Sequence, residues 1–237
     1  MHFNPSKCNI LQISNVKEPL LKFYQLEHRV LKHVDAAKYL GILIEKTLSF
    51  SDHILDITTK ANRKLGFLKR NLRNTPPEVR KIAYVSLVRS SLEYGSTIWD
   101  PLGKERKKDI EKIQNRAIRW IFDKRPRERC SVTALRKQAN LQTLELCREH
   151  QRLCLFYKMV HGDIIVTTED VGLEPGDERT REGTKNPYKF RHKGGGATRQ
   201  NICTISRTIP AWNRLPAEVV TAGSIDSFKS RLSALCS

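Results

Sequence analysis

The 237-residue chain contains no run of about 18 apolar residues, so no membrane-spanning helix is expected. Its opening residues, Met-His-Phe-Asn-Pro-Ser-Lys, hold no apolar signal-peptide segment, and the chain reads as intracellular, nuclear or cytoplasmic. The six cysteines (Cys8, Cys130, Cys147, Cys154, Cys203 and Cys236) include no Cys-x-x-Cys pair. In a reducing compartment they are expected as free thiols, mostly small buried side chains. No Gly-rich phosphate loop, Gly-x-Ser-x-Gly or His-Glu-x-x-His occurs. A two-metal polymerase or nuclease needs carboxylates that converge on its ions, yet no closely spaced aspartate pair lies in a strand-turn-strand context. Asp35, Asp52 and Asp56 read as turn or helix residues. No catalytic residue is therefore assigned. Cys147, His150, Cys154 and His161 would share one helical face, and a single helix cannot wrap a tetrahedral ion. They read as packing residues, with no metal assigned.

What the chain has is positive charge. Lys and Arg number 43 against 25 Asp and Glu, a net +18. Such an excess attracts polyanions, above all nucleic acid. It is also uneven: residues 60–129 hold 20 basic and 8 acidic side chains, net +12. The hydrophobic fraction of 39% still suffices for a buried core in a chain of this length.

The apolar pattern predicts an α+β chain. Residues 1–50 carry short strand candidates at Asn9–Ile13, Phe23–Leu31 and Tyr39–Ile44, suited to a small antiparallel unit. The period then changes. Ile54, Ile57, Ala61, Leu65, Leu68 and Leu72 recur at spacings of 3, 4, 4, 3 and 4, one face of a helix. Thr75-Pro76-Pro77-Glu78 reads as a capping box, with Thr75 as cap and Pro76 in the first turn. The following helix is apolar around much of its girth and is expected at the centre of a bundle. A helix over 104–122 has an apolar stripe of Ile110, Ile113, Ala117 and Ile121. Further helices are expected at 131–139 and 142–161. Residues 163–200, acidic at first and then rich in Gly, Lys and Arg, read as a flexible linker. Order returns near Trp212, with a last helix from about Ile225 capped by Ser224. The predicted organisation is 1–50, 51–162, the linker 163–200, and an extension over 201–237.

Lys60, Arg63 and Arg70 lie off the apolar face of the first long helix. Lys108, Lys112, Arg116 and Arg119 lie opposite the stripe of the 104–122 helix. Amphipathic helices with one basic face can track a phosphate backbone, and such contacts position without reading bases.

Several stretches together resemble the C-terminal part of non-LTR retrotransposon reverse transcriptases of the CR1- and jockey-like kind. Phe3-Asn4-Pro5-Ser6-Lys7-Cys8-Asn9-Ile10-Leu11 resembles the palm segment after the catalytic aspartates, and Lys38-Tyr39-Leu40-Gly41-Ile42-Leu43-Ile44 the hairpin that grips the primer end. Ser49-Phe50-Ser51-Asp52-His53-Ile54, Leu92-Glu93-Tyr94-Gly95 with Trp99, and Ile113-Gln114-Asn115-Arg116-Ala117 resemble thumb segments. The tail Arg207-Thr208-Ile209-Pro210-Ala211-Trp212-Asn213-Arg214-Leu215-Pro216 fits as well.

The resemblance implies the end of a palm, a helical thumb that holds template–primer duplex, and a C-terminal extension. It implies Lys7 beside the incoming nucleotide's phosphates and Tyr39, Leu40 and Gly41 in the primer grip. Carboxylates and Mg²⁺ would belong to the full enzyme, upstream of Phe3. The chain itself is expected to need no cofactor, to bind RNA or RNA–DNA duplex but no membrane, and not to polymerise alone, as a truncated element copy would. The rival readings are a basic helical nucleic-acid-binding module with no polymerase role, and an inert partial product.

Overall fold

The computed structural model describes residue 4 and residues 8–14, 22–124, 128, 130–176, 186–192 and 204–235. Lys7 lies outside these residues, as do most of 1–7. The described chain is α+β and mainly helical. Its strands are β1 (Asn9–Leu11), β2 (Gln25–Leu26), β3 (Arg29–Val30), β4 (Lys32–Val34), β5 (Ala36–Tyr39) and β6 (Ile42–Glu45), followed late in the chain by β7 (Leu173–Pro175) and β8 (Phe190–His192). They pair two by two. β2–β3, β5–β6 and β7–β8 are antiparallel, whereas β1–β4 is parallel, so the N-terminal unit is not wholly antiparallel as its pattern predicts.

The β5–β6 hairpin splits the apolar run 39–44. Tyr39 pairs with Ile42 across a two-residue turn, Leu40-Gly41, with φ of 46° and 85°. Two successive left-handed residues match the right-handed twist of the strands. β6 then packs its Ile42 beneath Gly95, where a Cβ would lie 2.6 Å from the Ile42 Cδ1.

α1 (Ser51–Asn71) buries Ile54, Ala61, Leu65 and Leu68, as the spacing predicts. Its His53 is also buried. The Leu43 N–H donates to His53 Nδ1 at 3.3 Å, and the imidazole packs edge-on against Trp99 with centroids 5.5 Å apart. Burial lowers the His53 pKa below the ordinary histidine value, with Lys60 and Lys38 adding to burial and Asp56 and Glu45 opposing it.

The next helix runs as α2 (Pro77–Ala83), a π-helical stretch (Tyr84–Arg89) and α3 (Ser90–Glu93). The capping box does not form. Pro76, held extended at ψ 154° by the proline after it, is the N-cap, and the Thr75 hydroxyl donates instead to the Leu72 carbonyl. Nor is this helix central. It buries Arg80, Tyr84, Val88 and Leu92 and leaves Val79, Ile82, Val85 and Leu87 exposed. A spacing of four drifts about 40° per step on an α-helix; the wider π turn cancels part of that drift and keeps one narrow row inward.

α4 (Ser96–Trp99) leads to α5 (Lys104–Ile121), α6 (Val132–Gln138) and α7 (Leu144–Val160). On α5, Ile110, Ile113, Ala117, Ile118 and Ile121 are buried where the helix packs among α1, α2, α6 and α7, with Ala117 fully inaccessible. Gln114 is buried too. It accepts from the Tyr84 hydroxyl at 3.0 Å and donates to the Gln142 carbonyl at 2.9 Å. Glu111 accepts from the Leu144 N–H at 3.0 Å and caps α7.

Two buried clusters result. One spans Ile42 to Leu144; the second joins the later half of α7 to the tail, α8 (Thr204–Asn213), α9 (Ala217–Val220) and α10 (Ile225–Ala234). α7 contributes to both clusters, Leu144 to the first and Leu153, Phe156 and Tyr157 to the second. The described parts of 163–200 are packed rather than an unattached connection. Leu173 and Phe190 enter the second cluster, and Asn213 brackets Phe190, accepting from its N–H at 3.1 Å and donating to its carbonyl at 2.9 Å. α8 has no counterpart among the expected elements because Pro210 sits inside it, where a proline normally signals a break.

The two clusters are bridged by Asp100, buried just after α4. Arg148 Nε donates to its carboxylate at 2.7 Å and Arg207 at 2.6 Å, with Arg152 on the same oxygen as Arg207. Asp100→Asn removes the charge partner that these three arginines share. It is expected to lower the unfolding free energy by about 3–5 kcal/mol, measurable as a reduced midpoint in urea. For His53, whose folded-state pKa is depressed, protonation favours the unfolded chain. Its contribution is complete above about pH 6.5 and is lost as pH falls from there toward the folded-state value. The imidazole resonance should titrate below about 6.5 in an NMR experiment.

Candidate nucleic-acid interface

The packing of α5 on α1 leaves a groove along their seam. Lys69, Lys112, Arg116, Arg119 and Lys124 line it together with Trp120, around a space of about 770 Å³. The cations come from the ends of the apolar pattern. On α5, Lys112, Arg116 and Arg119 recur at spacings of four and three, one turn apart on a flank beside the buried Ile113 and Ala117. On α1, Lys69 follows buried Leu68, on the flank nearest α5.

The groove's counter-charge is mostly spent locally. Asp123 is ion-paired to the buried Arg80 at 2.7 Å. Lys112 pairs with Asp109 at 2.9 Å, and Lys124 with Glu128 at 3.6 Å. Arg116 meets a neutral partner, donating to Asn62 Oδ1 of α1 at 3.2 Å. The Lys69 amine is pushed below the usual lysine value, first by burial and then by the Arg116 guanidinium. Two positive side chains held close enough to disturb one another favour an anion between them.

The structure brings together Lys112, Arg116 and Arg119 of the residues singled out from sequence, with exposed Lys108 one turn before Lys112. The α1 residues do not join them. Lys60 is exposed and paired with Asp56 at 2.5 Å. Arg63 lies on the other flank, over a shallow hollow shared with Phe67 and Leu87. Arg70 is exposed beside Gly66. Pattern reading did not single out Lys69, whose spacing from Lys60 and Arg63 hides that it turns toward α5, or Trp120, which lies between the apolar stripe and the basic flank of α5.

Tyr39 and Leu40 stand exposed at the hairpin tip with Gly41, and the Tyr94 hydroxyl donates to the Leu40 carbonyl at 3.0 Å. Of the possible metal set, Cys147 accepts from Arg89 and its thiol is pushed up to about 11 by burial, while His161 Nε2 bonds the Val220 carbonyl at 2.9 Å. Among the described residues no group of three or more His, Cys, Asp or Glu side chains is arranged for a metal. The described residues do not fit the Mg²⁺ of a polymerase. Nor is any described helix long and apolar enough to cross a membrane.

A helical α+β chain with this seam is similar in sequence to the RNA-directed DNA polymerases, or reverse transcriptases, of non-LTR retrotransposons, of which it matches a segment. It is 32% identical over 154 residues to a probable RNA-directed DNA polymerase from transposon BS of Drosophila melanogaster, covering 60% of this chain and 16% of that protein. A probable RNA-directed DNA polymerase from transposon X-element of the same species is 31% identical over 90 residues, 37% of this chain and 10% of its own. The Retrovirus-related Pol polyprotein from type-1 retrotransposable element R1 of Nasonia vitripennis is 33% identical over 70 residues, 28% of this chain and 21% of that one. The matched segments thus span less than a quarter of each relative. No protein-family model matches the chain, and no solved structure does.

If Lys69 is depressed by its neighbour, Arg116→Gln should move its titration upward toward the ordinary lysine value. A lysine of lowered pKa sheds its proton on folding. Its folded form therefore gains stability with rising pH, between the depressed value and about 10.4. ¹³C-methylated lysine NMR on both variants reads the shift directly, and an unchanged Lys69 midpoint would reject the coupling.

Proposed function

We propose that the chain is the end of a palm and the thumb of a retrotransposon reverse transcriptase. In this reading it is a non-catalytic segment that holds template–primer nucleic acid through the α1–α5 groove. The observation that carries this is the convergence of Lys69, Lys112, Arg116 and Arg119 on one groove, with Asp123 tied up by Arg80. Phosphates of a duplex would release counterions there and bind with little regard to sequence. The remaining basic residues, Lys60, Arg63, Arg70 and Lys108, widen the positive field rather than fill the groove.

In the same reading the exposed tip Tyr39-Leu40-Gly41 supports the primer end. A two-residue turn with an exposed leucine offers a rigid apolar point, which Tyr94 steadies from below. Lys7 would approach the incoming nucleotide's phosphates. The carboxylates and their Mg²⁺ would come from the part of the polymerase that this chain does not match. A basic module without a polymerase role accounts equally for the groove but gives no role to the hairpin tip.

The test is fluorescence anisotropy with an RNA–DNA duplex across a salt series. Log affinity is expected to fall steeply with log salt. The doubly neutralised Lys112→Gln/Arg116→Gln variant should reduce the slope by about one unit for each phosphate no longer neutralised. A flat salt response would overturn the binding reading. Preference for a recessed primer end over a blunt duplex, abolished on shortening Leu40 to Ala, separates the polymerase reading from the plain basic module.

A further inference from the structure

The groove holds one element that backbone contact does not require. Trp120 is half-buried and lines the groove among the cations. The chain's other tryptophans do not line it: Trp99 and Trp212 are fully buried, with their indole N–H groups donated to the carbonyls of Tyr94 and Tyr188. Trp120 is also held in place. The guanidinium of Arg80 lies 5.8 Å from its ring centroid. Arg80 is itself only 3% exposed, and it is fixed by the Trp120 carbonyl, the Arg73 carbonyl and Asp123. One side of the indole therefore rests on a clamped cation, while the accessible part of the ring forms groove wall.

Trp120 follows Arg116 by four residues, about 6 Å along the helix axis. A strand laid in the groove with a phosphate at Lys69 and Arg116 would then bring the next group of the same nucleotide to the indole. In a duplex that group is a sugar edge, because the bases are stacked on one another. In an unpaired nucleotide it is a base, whose flat face can stack on the ring.

We propose that the α1–α5 groove is a subsite for one unpaired nucleotide of a strand leaving the duplex. Its phosphate sits against Lys69, Arg116 and Arg119, and its base stacks on Trp120. The subsite is indifferent to base identity, since every base presents a π face. The inference rests on the nucleic-acid-binding reading above and adds to it the kind of end that the groove takes.

Because Trp99 and Trp212 are buried, quenching of intrinsic fluorescence on binding reports on Trp120. The full chain is titrated with three probes: a blunt RNA–DNA duplex, the same duplex with a short unpaired extension, and one whose extension is abasic and so has the phosphates without the bases. The extended duplex is expected to quench the emission saturably, and the blunt and abasic ones to bind without that quenching. By anisotropy, Trp120→Ala should weaken the extended duplex roughly five- to hundredfold and the blunt duplex, which meets the indole only through a sugar edge, by much less. Trp120→Phe, which keeps a ring on Arg80, should retain most of the affinity and guards against a folding defect in the alanine variant. Equal quenching by the abasic probe, or binding of the extended duplex with no quenching, overturns the proposal while the binding reading stands. Failure of all three probes to bind overturns both.

Discussion

Asp100 sits where the two halves of this chain meet, and its carboxylate gathers three arginines from two helices. Arg148 and Arg152 come from α7, which runs through both apolar clusters, and Arg207 comes from α8 and also donates to the Asp100 carbonyl at 2.8 Å. One acid among three bases leaves an excess of positive charge in a dry place, and the Arg148 terminal nitrogens lack a partner among the described residues. Such an arrangement is costly in itself and holds only while the packing around it is complete. It makes the position of the tail depend on a charge fixed after α4. The tail, in turn, holds the β7–β8 segment through Trp212 and Asn213.

The same economy of acids shapes the surface. Asp100 and Glu111 are spent on internal contacts, on the arginine cluster and on the first turn of α7, and the exposed Asp123 is paired with the buried Arg80 at the end of the groove. Across the α1–α5 seam Lys69 faces Arg116, and the Lys69 amine is held below the usual lysine value first by burial and then by that guanidinium. A positive groove here follows from where the acids went as much as from where the bases lie. It is the physical basis for attributing affinity for a polyanion to this seam rather than to the basic chain as a whole.

Several stretches that carry the family resemblance turn out to be parts of one packing problem. His53 of the Ser49–Ile54 stretch binds the β6 backbone and leans on Trp99, while Gly95 admits Ile42 at a distance that no Cβ would allow. In Ile113-Gln114-Asn115-Arg116-Ala117 neighbouring side chains serve different ends. Ile113 fills the core, Gln114 relays buried hydrogen bonds, Asn115 and Arg116 line the groove, and Ala117 allows the close helix contact. Arg207, Trp212 and Asn213 in the tail serve the Asp100 cluster and the late hairpin. A motif in linear sequence records these duties without naming them, because its spacing reflects partners from other elements.

The early strands giving way to long helices, the inward faces of α1 and α5, and the surplus of positive charge were legible in residue order alone, because helical periodicity and net charge are local quantities. Others depended on contacts between distant residues. Whether the helix from Pro77 was central or lay at the surface depended on a π turn and on what packed beside it. Whether residues 186–192 were loose or attached depended on Phe190 finding Asn213. Lys69 and Trp120 became groove residues only when α5 lay across α1. Asp100, one acid among many by composition, became the bridge between two cores once three arginines arrived from as far as 107 residues away. Burial and charge pairing are properties of a surrounding, and only the folded chain supplies one.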